Sequence, residues 1–149
     1  MKENIVKDKS FAFALRVVHL AKYLESKKKE FVLSRQVLRS GTAIGALVRE
    51  AEHAESKSDF IHKMSIALKE ANETLYWLEL LRQGEYIGDE NFESVRSDSE
   101  ELIKLLCDHK NLESRKALRV IIHSQFSIIH YSYEIPPHLS RRHAPRVSE

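Results

Sequence analysis

Eight histidines and 22 carboxylates in a chain of 149 residues invite a search for metal or acid–base chemistry. Glu50-Ala-Glu-His53 has the Glu-x-x-His spacing that puts two ligands on one helix face in di-iron bundles. Such a site needs a second copy of the motif and two further Glu at core depth. Asp59-Phe-Ile-His62 keeps the spacing with Asp in the Glu position, and the two pairs flank a helix joint instead of lying mid-bundle. These residues read as solvated or ion-paired side chains, and neither a metal nor a cofactor is assigned. Cys107 lies near His109, but no Asn or Asp orienter is identifiable and position 107 falls on a helix face. No Ser-His-Asp arrangement, sugar-site carboxylate pair or dinucleotide fingerprint is present. The expectation is a protein that is not an enzyme.

The remaining chemistry is cationic. The net charge of +2 arises because strongly basic and strongly acidic segments cancel. Residues 1–40 hold ten Lys/Arg against four Asp/Glu, residues 41–108 seven against fifteen, and residues 109–149 seven against three. Basic ends around an acidic middle could meet nucleic acid, or meet one another's acidic segments between subunits. Lys27, Lys28 and Lys29 close the first periodic segment. There they either complement the carbonyl end of a helix or contact RNA phosphate.

The elements that must position these groups are helices. Four Gly, three Pro and 31% charged residues argue against a sandwich, a barrel or a low-complexity chain. One Cys makes no internal disulfide, the first ten residues lack an apolar signal core, and no run is long and apolar enough to span a bilayer. A soluble cytoplasmic protein with no membrane association is the expectation.

The spacing predicts helices over Val6–Lys28, Ser34–Ala54, Asp59–Arg82 and from Asp89 to roughly Asp108. Ser34 is the expected N-cap of the second. Ser56 and Asp59 stand at capping-box spacing before the third, and Gly84 is placed as its C-terminal cap. Gly41 and Gly45 lie four apart within the second segment, where each costs about 1 kcal/mol relative to Ala, so they point to close helix packing. The first and third segments each carry two apolar stripes, more than one intrachain contact requires. Trp77 and Tyr76 belong in the core or between subunits. Short connections make neighbours antiparallel, giving an all-α, up-down-up-down four-helix bundle over residues 1–110. Residues 111–149 read as a divergent, partly disordered extension. Within it, Val120–Ser140 holds one charge, Pro136-Pro137 stops regular structure, and Arg141, Arg142 and Arg146 mark a basic tail.

Several long words in this chain carry a resemblance. They are Phe11-Ala-Phe-Ala-Leu-Arg-Val-Val18, Ser34-Arg-Gln-Val-Leu-Arg-Ser-Gly-Thr-Ala-Ile-Gly-Ala46, Glu50-Ala51, Ser56-Lys-Ser-Asp-Phe-Ile-His-Lys-Met-Ser-Ile-Ala-Leu-Lys-Glu-Ala71 and Glu73-Thr-Leu-Tyr-Trp-Leu78. Over about residues 4–106 the chain resembles the four-helix-bundle proteins encoded in intervening sequences of bacterial 23S rRNA genes. It is similar also to the accessory variability protein of diversity-generating retroelements, a basic ring-forming bundle that binds nucleic acid and a reverse transcriptase. The resemblance implies a small bundle, a homopentamer, with an RNA- or ribosome-associated role and no catalytic set. Arg35, Arg39, Lys63 and Lys69 lie in the matching words and join Lys27, Lys28 and Lys29 as candidate nucleic-acid contacts. Gly41, Gly45 and Trp77 are the packing positions. Leu47 and Arg49 depart from the small residues expected there, and the pattern ends after Leu106.

Three function classes follow. The leading one is a non-enzymatic oligomer that contacts rRNA or another nucleic acid. The second is a protein-interaction adaptor, such as a partner of a reverse transcriptase, and the third is a metal-binding bundle.

Overall fold

Periodic apolar residues build four helices in the computed structural model, which describes residues 5–132, with side chains described over 5–116. The helices are α1 (Ile5–Tyr23), α2 (Leu33–Glu52), α3 (Lys57–Gln83) and α4 (Asp89–Ser132). A π-helical turn, Leu24–Lys28, extends α1. No strand occurs among the described residues, and the architecture is the all-α four-helix bundle.

Each helix contributes one buried stripe to a single core. Phe13, Val17 and Leu24 come from α1 and its π turn, Val37 and Ile44 from α2, Ala67, Leu78 and Leu81 from α3, and Phe92, Leu102 and Leu106 from α4. The connections are short, so adjacent helices run antiparallel. Polar cross-links tie neighbours together. Thr74 on α3 donates a buried 2.9 Å hydrogen bond to Ser40 Oγ on α2, and Ser40 in turn donates to the Gln36 carbonyl at 3.1 Å. Arg16 on α1 donates to the Ser94 Oγ at 2.9 Å, to the Ser94 carbonyl at 3.2 Å and to the Asp98 carboxylate, all on α4.

The α1–α2 approach is closest at Gly41, where a Cβ would lie 2.8 Å from both γ carbons of Val17. At Gly45 the nearest atom to a Cβ is the Ser10 carbonyl oxygen, 3.4 Å away. Trp77 is half-buried against the core, donates its Nε1 hydrogen to Glu73 Oε1 at 3.1 Å, and meets Tyr76 edge-on with ring centroids 5.0 Å apart. Tyr76 itself is exposed. Arg49 lies over the exposed Phe11 ring, with Cζ 5.2 Å from its centroid, and donates to the Gly45 carbonyl. The guanidinium thus covers part of an apolar side chain at one of the positions where a small residue is expected.

Two helix ends differ from the expected local chemistry. The cap of α2 is not Ser34, which lies inside the helix and is buried. Glu30 takes that role: its carboxylate accepts from the main-chain N–H groups of Val32 at 3.0 Å, Leu33 at 2.8 Å and Ser34 at 2.7 Å. At the end of α3, Gly84 is the C-cap but has φ −79°, and the left-handed position falls on Glu85 at φ 60°. Tyr86 N–H bonds to the Leu81 carbonyl at 2.9 Å and Glu85 N–H to that of Arg82 at 3.0 Å, the paired bonds of a Schellman turn. The Ser56 cap is as expected: Asp59 N–H donates to Ser56 Oγ at 3.1 Å, while Asp59 Oδ2 accepts from the Glu55 N–H at 3.2 Å.

The fourth helix continues past the expected end near Asp108 to Ser132. No Gly or Pro stands between Gly88 and Ser132, so no residue in that span breaks the helix. The chain divides into compact units of residues 1–114 and 115–149. The first holds the bundle with α4 to residue 114, and the second holds the remainder of that helix. Pro136-Pro137 and the basic tail lie outside the described residues.

Candidate nucleic-acid interface

The corner between α1 and α2 is built by an unusual exit. The α1 chain widens into the π turn, Lys29 then takes a left-handed conformation at φ 54°, and its N–H and that of Glu30 both reach the Leu24 carbonyl. A left-handed non-Gly residue costs about 1–2 kcal/mol. Burial of Leu24 and the Glu30 cap on α2 offset that cost from either side. Burial acts to raise the Glu30 pKa, but the hydrogen bonds from Leu33, Ser34 and Val32 outweigh it and hold the carboxyl below its ordinary range. Glu30 is therefore committed to main chain, and Glu25, in the π turn, is the other carboxylate at this corner.

This exit puts Lys27, Lys28 and Lys29 on one exposed corner, with Arg35 following in the first turns of α2. None of the four makes an ion pair among the described residues. Lys22, in the last turn of α1, is also exposed and makes no ion pair among the described residues; its place just before the lysine run is the signal that could have added it. Lys28 lines a cleft of about 550 Å³ with Glu85 and with the Arg82–Asp89 pair, whose Nε–Oδ1 distance is 2.7 Å.

Two of the other three candidate cations are spent on carboxylates. Arg39 pairs with Glu73 and lies 3.8 Å from Glu70, bridging α2 to α3. Lys63 lies 3.4 Å from Asp59 and 3.9 Å from Glu50. Lys69 is exposed on α3 without an ion pair among the described residues, and no contact brings it to the α1–α2 corner. The seven candidates thus separate into four that follow one another closely in sequence around the α1–α2 connection, two ion-paired groups and one on α3.

The residues considered for metal chemistry meet in part. Glu50, His53, Glu55 and Asp59 line a cleft of about 440 Å³, with Lys63 among them. Its ammonium occupies the place of a positive charge beside Glu50 and Asp59. Among the described residues no group of three His, Cys, Asp or Glu is arranged to hold a metal ion. Cys107 is a half-buried free thiol. Among the described residues no helix is long and apolar enough to cross a membrane.

A family model described as 23S rRNA-intervening sequence protein matches residues 2–108. Among solved structures, a protein of unknown function from the S23 ribosomal protein family of Bacteroides thetaiotaomicron VPI-5482 is similar to this chain. It is 60% identical, with a TM-score of 0.70, over 70% of this chain and 97% of the other. No curated protein matches the sequence.

Proposed function

The chain belongs to the 23S rRNA-intervening sequence protein family, and we propose that it is a non-enzymatic, oligomeric, cytoplasmic bundle that binds RNA through the α1–α2 corner. The observation that carries this reading is a run of three adjacent exposed lysines at the α1–α2 connection, with exposed Arg35 six residues further on. Arg16, Arg39, Lys63, Arg82 and Arg96 are neutralised by carboxylates of the bundle. Lys27, Lys28, Lys29 and Arg35 are exposed on one corner without ion pairs among the described residues. Free cations release counterions when they meet phosphate, whereas paired ones must first give up a protein partner.

Assembly is part of the same reading. Phe11 and Leu15 on α1 and Tyr76 on α3 are about half exposed, and a second copy packed on them would take that apolar area out of water. A ring of copies repeats the basic corner, so that several corners engage one RNA and avidity multiplies a modest single-site affinity. Light scattering at micromolar concentration tests assembly, with a multiple of the protomer mass expected. Titration with rRNA fragments at varied salt tests binding, with affinity falling steeply as salt rises.

Phe31 and Val32, 48% and 70% exposed, lie beside the basic corner and favour a second reading, an adaptor that docks a protein there. A protein partner retained after nuclease treatment supports the adaptor; loss of that partner with the RNA supports direct RNA binding.

A further inference from the structure

A groove of about 350 Å³ runs between α1 and α4 next to the basic corner. Its floor is apolar, made by Leu20, Ile87 and Val95, and its walls carry His19, Tyr23 and Asn91. The volume lies at the low end of the roughly 300–1,000 Å³ of small-molecule sites, enough for one flat heterocycle. Arg16 also lines it, but its donors are engaged by Asp98 and Ser94, so it offers no uncompensated charge. What remains is an imidazole, a phenol and an amide over an apolar floor. A neutral planar ligand with both donors and acceptors on its edge suits these groups, since an Asn amide can donate and accept side by side.

The position of the groove selects the ligand. Tyr23 directly precedes the π turn that carries Lys27 and Lys28, so the aromatic wall of the groove and these two cations stand within about one helical turn of each other. The groove also shares Ile87 with the cleft that Lys28 lines. Single-stranded RNA is recognised by unstacked bases packed on aromatic rings while cations hold the backbone. We propose that this α1–α4 groove receives one unstacked base of a single-stranded RNA segment whose phosphates lie on Lys27 and Lys28. Tyr23 supplies the stacking surface, and Asn91 reads the base edge. The assignment rests on the RNA-binding reading above.

The test uses the full chain and two labelled probes of equal length: a mixed-sequence single-stranded RNA, and a ribose-phosphate oligomer without bases. Anisotropy at low salt is expected to show the base-containing probe bound about five- to a hundredfold more tightly. Tyr23→Ala should abolish that difference without changing the dependence of affinity on salt, and Asn91→Ala should reduce it. Tyr23 and Asn91 are both exposed, so neither change removes core. Equal binding of the two probes by the parent protein, or no effect of Tyr23→Ala, overturns the groove while leaving RNA binding intact. No binding of either probe overturns both. A drop in oligomer mass for Tyr23→Ala makes the groove a contact for a second copy and overturns the base assignment.

Discussion

Gly41 and Val17 are packed so closely that a single added carbon on the glycine would lie 2.8 Å from both Val17 γ carbons. Val17 is fully buried, so its side chain has no solvent to move into. Gly41→Ala gains about 1 kcal/mol of helix propensity but incurs an overpacking cost of about 1–3 kcal/mol. A net loss of stability is expected. Gly45, one turn later, has ordinary contact distance to its nearest neighbour, the Ser10 carbonyl oxygen. Gly45→Ala should therefore stabilise the bundle by up to about 1 kcal/mol. Denaturant midpoints of the two variants should move in opposite directions.

The Glu30 cap predicts a pH effect of definite sign. Its carboxyl is held below the ordinary value of 4.5 in the folded chain, so near that pH the unfolded chain binds more protons. The stabilisation is complete above the unfolded value and is lost as pH falls through the lower folded one. Glu30→Gln should cost about 0.5–2 kcal/mol near neutral pH, the range of a lost cap, and should flatten the decline of stability below pH 4.5. Chemical denaturation of both proteins across that window measures it.

Thr74 and Ser40 share the buried hydrogen bond between α3 and α2. Each hydroxyl also has a main-chain acceptor in its own helix, the Glu70 carbonyl for Thr74 and the Gln36 carbonyl for Ser40. Removing either hydroxyl leaves the other satisfied, so no orphaned polar group adds its penalty. Thr74→Val and Ser40→Ala should each cost about 0.5–1.5 kcal/mol. The double variant should fall short of their sum, because one bond is lost in all three. A double-mutant cycle in urea reports the coupling.

The helices were legible because their apolar spacing is regular and their breakers are local. Ser56 and Gly84 mark the ends of α3 in the residue types themselves. The start of α2 was less legible. A carboxylate two to four residues ahead of the N–H groups it caps, after a left-handed lysine, leaves no Ser or Asp at the usual place. The extent of α4 was written in the absence of Gly and Pro between Gly88 and Pro136, but the polar stretch around Asp108–Lys110 reads as an end when composition alone is weighed.

The candidate site was legible as a set of cations but not as a geometry. Arg39 and Lys63 look like Lys27 in sequence. Glu73 lies 34 residues from Arg39 and Glu50 lies 13 from Lys63, and the packing of α2 on α3 brings these together; the i,i+4 pair of Lys63 with Asp59 was open to sequence reading. The groove between α1 and α4 was invisible for the same reason, since His19 and Asn91 stand 72 positions apart.

The salt dependence of RNA binding distinguishes phosphate contact at the α1–α2 corner from contact elsewhere on the bundle. Each phosphate contact contributes about 0.7–0.9 to the slope of log affinity against log salt. Replacing Lys27, Lys28, Lys29 and Arg35 together by Gln should reduce the slope by about 3, while the Arg39→Gln, Lys63→Gln double variant should leave it nearly unchanged. An unchanged slope in the fourfold variant, or no RNA binding by the parent protein at low salt, would contradict the account.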